Sequence, residues 1–153
     1  MTIPARIRPR PSGQTLQFMQ RLWELAHALD VGSKRMARTL GVTGPQRLVI
    51  RVVGQTPDVT ASEISDMLGL DPSTLTGVLS RLEKQALLQR RVDREDRRRQ
   101  RFRLTAAGRQ IDRERKGTIE ASVKRALALA TPATIENTEH MLALLVAELL
   151  RID

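Results

Sequence analysis

The side chains with the clearest chemistry are guanidiniums. Arg90, Arg91, Arg94, Arg97, Arg98, Arg99, Arg101 and Arg103 crowd a stretch whose only acids are Asp93, Glu95 and Asp96. A guanidinium carries a permanent charge and a fixed fork of N–H donors, which suits phosphate oxygens and guanine edges. The whole chain leans the same way, with a formal net charge of +9 over 153 residues and a sequence pI near 11.4. A polyanion is the partner that this distribution implies. The alternative, a solvated charge run, is disfavoured because the cluster falls on an expected hairpin.

A second constellation precedes it. Ser73, Thr74, Thr76, Gly77, Ser80, Arg81 and Lys84 share one face of an expected helix, while Leu75, Val78, Leu79 and Leu82 share the other. Small hydroxyl residues in the first turns let a helix enter a groove closely, and the cations further on suit phosphate or guanine. The plainer reading is an amphipathic helix with a polar outside.

Other chemistries find no residues. There is no cysteine, so there is no disulfide, thiolate metal site or thiol switch. His27 and His140 lie far apart and lack the paired spacing of a metal site, and no Ser/His/Asp set, glycine-rich phosphate loop or carboxylate cluster outside the hairpin suggests catalysis. No catalytic residue, metal or cofactor is expected. RNA recognition by base stacking would need exposed aromatics, and the chain has only Trp23 and two Phe. A non-specific architectural DNA- or RNA-binding protein without an effector stays open as the alternative to a sequence reader. Met1–Pro11 is unlike a signal peptide, and the apolar run Met141–Ala147 is far short of the about 20 residues that cross a bilayer. A soluble, cytoplasmic protein is expected.

These residues need positioning elements. Residues 1–13, rich in Pro and Arg, read as an irregular basic arm. Leu16, Met19, Leu22, Trp23, Ala26 and Leu29 mark a long first helix within 14–42. Thr43 and Gln46 form a capping box for a second helix, about Pro45–Gly54, with Leu48, Val49, Val52 and Val53 as its buried set. Thr60 and Glu63 cap a third helix that Gly69 stops, and Asp71-Pro72 starts the next almost at once. That is a helix-turn-helix. Period-two alternation over Leu88–Val92 and Arg101–Leu104 predicts two strands with one face buried, joined by a charged tip: a wing. Thr105 opens a helix running through Ile111, Ile119, Val123, Ala126, Leu127 and Ala130, weakened at Gly108 and Gly117, and a last helix starts near Ala133. The fold class is mainly α with a small β-hairpin wing, a winged helix-turn-helix at 43–104 flanked by long helices at 14–42 and 105–153. The broad apolar faces of the first and last helices invite a second copy of the chain.

The order Asp71-Pro72-Ser73-Thr74-Leu75-Thr76, Arg81-Leu82-Glu83, Asp96-Arg97-Arg98, Leu104-Thr105 and Gly108 resembles the MarR family of winged helix-turn-helix transcription regulators, from about Thr15 onward. The resemblance implies a homodimer, usually a repressor, built from the first and last helices. It places two recognition helices in successive major grooves of a pseudo-palindromic double-stranded DNA operator and two wings in minor grooves. It also implies that Arg94, Arg97, Arg98 and Arg99 face DNA and that Arg98 enters the minor groove with its guanidinium held by Asp96. Gly77 departs from the resemblance, at a position where many relatives carry a larger polar or basic side chain, which bears on base preference and not on DNA binding. A small aromatic or apolar acid that weakens DNA binding is implied too, and Trp23, His27, Arg47 and Arg51 are the candidate pocket.

Overall fold

A computed structural model describes residues 13–151, and the basic arm expected at 1–13 therefore lies, but for Gly13, outside the described residues. The chain divides into two compact units, one ending at Arg113 and the other beginning at Glu114.

The first unit opens with α1 (Gln14–Leu40), which Gly41 ends in the left-handed conformation at φ 75°. Helix α2 (Gly44–Gln55) begins with the expected capping box: the Thr43 N–H donates to Gln46 Oε1 at 2.8 Å, and the Gln46 N–H to the Thr43 hydroxyl at 3.4 Å. Its buried face differs from expectation. Val49, Ile50 and Val53 are buried, whereas Leu48 is 46% exposed and Val52 only half-buried. Two polar residues share the inner face and displace the apolar stripe. Gln46 donates to Gln85 at 3.2 Å and buried Arg47 donates to the main chain of a later helix, so hydropathy alone assigns the face wrongly.

A two-residue strand, β1 (Val59–Thr60), follows and was not expected, being too short to show any period. Helix α3 (Ala61–Leu68) starts on the second capping box of the chain, Thr60 and Glu63, and ends at Gly69, φ 62°. Helix α4 (Pro72–Lys84) starts on Asp71 and buries Leu75, Val78, Leu79 and Leu82. These pack with Val42, Ile50, Ile64 and Phe102 into one core beneath the helix-turn-helix. Strands β2 (Leu88–Val92) and β3 (Gln100–Leu104) make the hairpin, and β3 is central in an antiparallel sheet of order β1-β3-β2. Phe102 and Leu104 are buried as expected. On β2 only Leu88 is, and Val92 is 59% exposed, because the hairpin extends past the helices that would cover it.

Helix α5 (Ala106–Arg113) is separate from α6 (Ile119–Leu127), where one continuous helix was expected. Gly117 takes φ 72° and Thr118 caps a new start, accepting from the Ala121 N–H at 3.2 Å. Helix α5 belongs to the first unit with the winged element. The second unit holds α6 and α7 (Pro132–Leu149), and neither helix has a buried residue. No helix among the described residues is long and apolar enough to cross a membrane.

Two glycines on this scaffold should respond to alanine with opposite signs. A Cβ on Gly108 would lie 2.1 Å from the Leu87 carbonyl oxygen, which itself accepts from the Thr105 N–H, so backbone must move. Gly108→Ala should lose about 1–3 kcal/mol. Around Gly77 the same atom meets nothing within 4 Å, and Gly77→Ala in mid-helix should gain about 0.5–1 kcal/mol. Urea denaturation at one fixed protein concentration measures both, and a neutral Gly108→Ala would contradict the close approach.

Candidate nucleic-acid interface

The exposed face of α4 is built from its cap outward. Asp71 Oδ1 accepts from the N–H groups of Ser73 and Thr74, each at 3.0 Å, satisfying two of the donors a helix start leaves open. The hydroxyls of Ser73 and Thr74 also donate to this carboxylate, both at 2.5 Å, and that of Thr76 donates to the Pro72 carbonyl at 2.8 Å. Hydrogen bonds from Ser73 and Thr74 hold the Asp71 carboxyl well below the usual carboxylate range, so it is ionised at any working pH. Ser73, Thr74, Thr76, Gly77, Arg81 and Lys84 are exposed and Ser80 is half-buried. The side chains of Arg81 and Lys84 enter no hydrogen bond or ion pair among the described residues.

The arginines of the hairpin separate into two sets. Arg90 turns back onto α4, donating from Nε to Glu83 at 3.1 Å and stacking its guanidinium 5.5 Å over the Phe102 ring. Arg101 donates to Asp93 at 2.6 Å and to the Asp58 carbonyl at 2.9 Å, and Arg103 grips the Asp58 carboxylate with two donors. These three hold the hairpin to the body. Arg91, Arg94, Arg97 and Arg98 are exposed and make no side-chain hydrogen bond or ion pair among the described residues, and Arg99 only a long contact to Asp96 at 3.6 Å. The positions expected at the wing, Arg94, Arg97, Arg98 and Arg99, are thus outward, and Arg91, which was not expected there, is outward too.

Asp96 acts differently from the expectation. Its carboxylate accepts from the backbone N–H of Arg98 at 3.0 Å and faces Arg99, and it does not hold the Arg98 guanidinium. It shapes the turn and leaves the Arg98 side chain unengaged. The residue that organises the tip is Asp93, which sequence reading counted only as an acid. Buried at the end of β2, it accepts from the Glu95 N–H at 2.8 Å and the Asp96 N–H at 3.4 Å while its other oxygen takes Arg101. Those bonds, the one from Glu95 foremost, keep its carboxyl below the ordinary value of 3.8. An aspartate ending a strand and bonding the N–H two residues on is a local turn signal that was available. Asp58 was not legible: it sits at φ 64°, a conformation Asp tolerates, and its carboxyl is lowered chiefly by the bond from Arg103.

The four residues suggested for a ligand pocket fall into two pairs. Arg47, 1% exposed, donates to the carbonyls of Ile111 and Asp112, and Arg51 pairs with the Asp112 carboxylate at 2.6 Å. Trp23 and His27 are exposed on α1. Among the described residues no hydrogen bond or ion pair joins either of them to the arginines.

Residues 40–99, from the end of α1 through the tip of the hairpin, match the sequence profile of the MarR family. Over 102 residues the chain is 32% identical to the HTH-type transcriptional regulator TtmR of Methylorubrum extorquens (strain PA1). The chain belongs to the MarR family. That alignment takes in 67% of this chain and 52% of TtmR, so the chain spans about half the length of the curated relative it matches. Among solved structures, MepR of S. aureus in a DNA complex superposes with a TM-score of 0.73 at 18% identity, over 86% of this chain and 97% of that one. FabT of Streptococcus pneumoniae in complex with DNA gives 0.66 at 25% identity, over 89% and 97%. These likenesses establish the winged-helix fold of the MarR family, a family of transcription regulators and not of enzymes.

The Asp93 turn gives this MarR-family wing a defined acid response. A carboxyl whose folded pKa is depressed contributes stability that is complete above its unfolded value, here 3.8, and is lost as pH falls through the lower folded value. Hydrogen exchange at the Glu95 amide should therefore stay protected through pH 3.8 and open only below it. In Asp93→Asn, which cannot titrate, the pH step at this amide should vanish. Loss of protection already above pH 5 in the unaltered protein would show that Asp93 does not hold the turn.

Proposed function

We propose that this chain is a sequence-specific double-stranded-DNA-binding transcription regulator, acting as a homodimeric repressor on a pseudo-palindromic operator. The observation that carries the reading is the division among the cations. Arg81 and Lys84 on α4 and Arg94, Arg97 and Arg98 on the wing point outward without an internal acid, while the arginines that hold the hairpin are neutralised. An exposed helix face beside a cationic hairpin matches a major groove with an adjoining minor groove, where a narrow A·T tract concentrates negative potential.

Helices α6 and α7 support the second copy. Leu142, Leu144, Val146 and Leu149 on α7 and Val123 and Leu127 on α6 are exposed large apolar residues, and helices of 9 and 18 residues with nothing buried lack the packing that sustains helices in water. A second chain would supply it. The reading includes a small aromatic or apolar acid that weakens DNA binding, a part that rests on Trp23, 67% exposed on α1, with His27 one turn away. Arg47 and Arg51, the other two candidates for the pocket, bond the main chain and the Asp112 carboxylate at the end of α5.

Titration of a site enriched by the protein from random-sequence duplexes, and of a scrambled duplex, at several salt concentrations tests the DNA reading. Arg98→Ala should weaken binding to both duplexes and lower the salt slope by about one per half-site, with base preference on α4 retained. Asp96→Ala removes an acid and on charge alone should tighten binding, but because Asp96 shapes the turn that presents Arg98 and Arg99, binding should weaken. Tighter binding would remove that role.

The oligomer is tested separately. Sedimentation at micromolar concentration should give a dimer, and Leu144→Asp should shift it toward monomer with loss of palindrome binding. A stable monomer that binds the palindrome at full affinity would overturn the architecture.

A further inference from the structure

A hydroxyl group has one proton to donate and two lone pairs with which to accept. On the first turns of α4 the destination of each proton is fixed by chemistry. Ser73 Oγ lies 2.5 Å from Asp71 Oδ1, Thr74 Oγ1 lies 2.5 Å from Asp71 Oδ2, and Thr76 Oγ1 lies 2.8 Å from the Pro72 carbonyl oxygen. A carboxylate and a carbonyl can only accept, so each hydroxyl must be the donor. Ionisation of Asp71 at working pH keeps it in that role. What the three exposed side chains offer outward is lone pairs.

That excludes one partner and selects another. Phosphate oxygens are acceptors, so these hydroxyls cannot donate to the DNA backbone, and the charge of Asp71 beside them opposes a phosphate there. In the major groove the only donors are the adenine N6 and cytosine N4 amino groups, whereas guanine and thymine present acceptors and a methyl. Resting on the DNA-binding reading above, we propose that Ser73, Thr74 and Thr76 act as hydrogen-bond acceptors for adenine or cytosine amino groups, and so decide which strand carries them at the base pairs facing the start of α4. Every base pair has one such amino group, so the discrimination is A·T against T·A and C·G against G·C. Helix α4 is polarised in hydrogen bonding: Arg81, a pure donor, stands seven residues beyond Thr74, about 10 Å along the axis, where it suits guanine O6 and N7.

The test uses the full chain and a random-sequence duplex pool, from which the unaltered protein enriches its site. Within that site single bases are then replaced: adenine by purine, which lacks the N6 amino group, cytosine by 2-pyrimidinone, which lacks N4, guanine by 7-deazaguanine and thymine by uracil. Each duplex is titrated with the unaltered protein, Ser73→Ala, Thr74→Val and Thr76→Val; valine keeps the shape and a methyl while removing the acceptor. At one or more positions amino-group removal should weaken the unaltered protein about tenfold and weaken the matching variant no further, a coupling that cancels the cost of the altered base pair itself. Circular dichroism confirms that each variant keeps its helix. Coupling of these residues to 7-deazaguanine or to uracil, or no coupling to any amino group, overturns the acceptor role while leaving DNA reading intact. Failure to enrich any duplex overturns the DNA reading and the acceptor role with it.

Discussion

Crowding guanidiniums onto one small hairpin is opposed by their mutual repulsion, and the fold depends on the three carboxylates that relieve it. Glu83 on α4 takes Arg90, Asp93 at the end of β2 takes Arg101, and Asp58 ahead of β1 takes Arg103. Each pair joins different segments, so neutralisation and tertiary fixation are one act. Glu83 ties the hairpin to the helix-turn-helix, Asp58 ties it to the short edge strand, and Asp93 ties its own tip. Of the arginines left over, Arg99 has only a long contact to Asp96, and Arg91, Arg94, Arg97 and Arg98 make no ion pair among the described residues; these side chains project. Charge excess at the wing is thus a remainder set by the placement of acids, and a count of basic residues would overstate it.

A second junction sets the angle between α4 and the hairpin. The Thr105 hydroxyl donates to the Ala86 carbonyl at 2.6 Å and accepts from the Gly108 N–H at 3.0 Å, while the Thr105 N–H donates to Leu87 at 3.1 Å. Ala86 is left-handed at φ 56°, and the Leu87 N–H returns to Leu82 at 2.9 Å, closing the end of α4. The exit of the helix, both feet of the hairpin and the start of α5 therefore meet within a few residues. Only glycine at 108 lets the backbones approach so closely.

How much of this could be read in advance follows the range of the interactions. Caps at Thr43, Thr60 and Asp71 involve residues two or three apart, so the helix starts and the turn between α3 and α4 were legible. So was the outward face of α4, because Leu75, Val78, Leu79 and Leu82 leave no other face free. The anchoring role of Asp58 was not, since its partners Arg101 and Arg103 lie more than forty residues away and nothing local marks the pairing. Strand β1 was missed because two residues carry no period. The buried face of α2 was misread because Gln46 and Arg47 point inward against their hydropathy, satisfied by Gln85 and by main-chain carbonyls that only the tertiary fold supplies. The break before α6 had its signal in Gly117, and the apolar period across it outweighed that signal wrongly.

Arg47 shows why a buried cation needs its partners before it is given a role. Its donors meet the carbonyls at the C-terminal end of α5, where the helix dipole favours positive charge and the last carbonyls lack helical partners. A carboxylate arriving there would have to displace main-chain acceptors already engaged, and each buried polar group so abandoned costs about 1–3 kcal/mol. Arg51 reinforces the same end through the Asp112 side chain. The pair acts as a brace between α2 and α5.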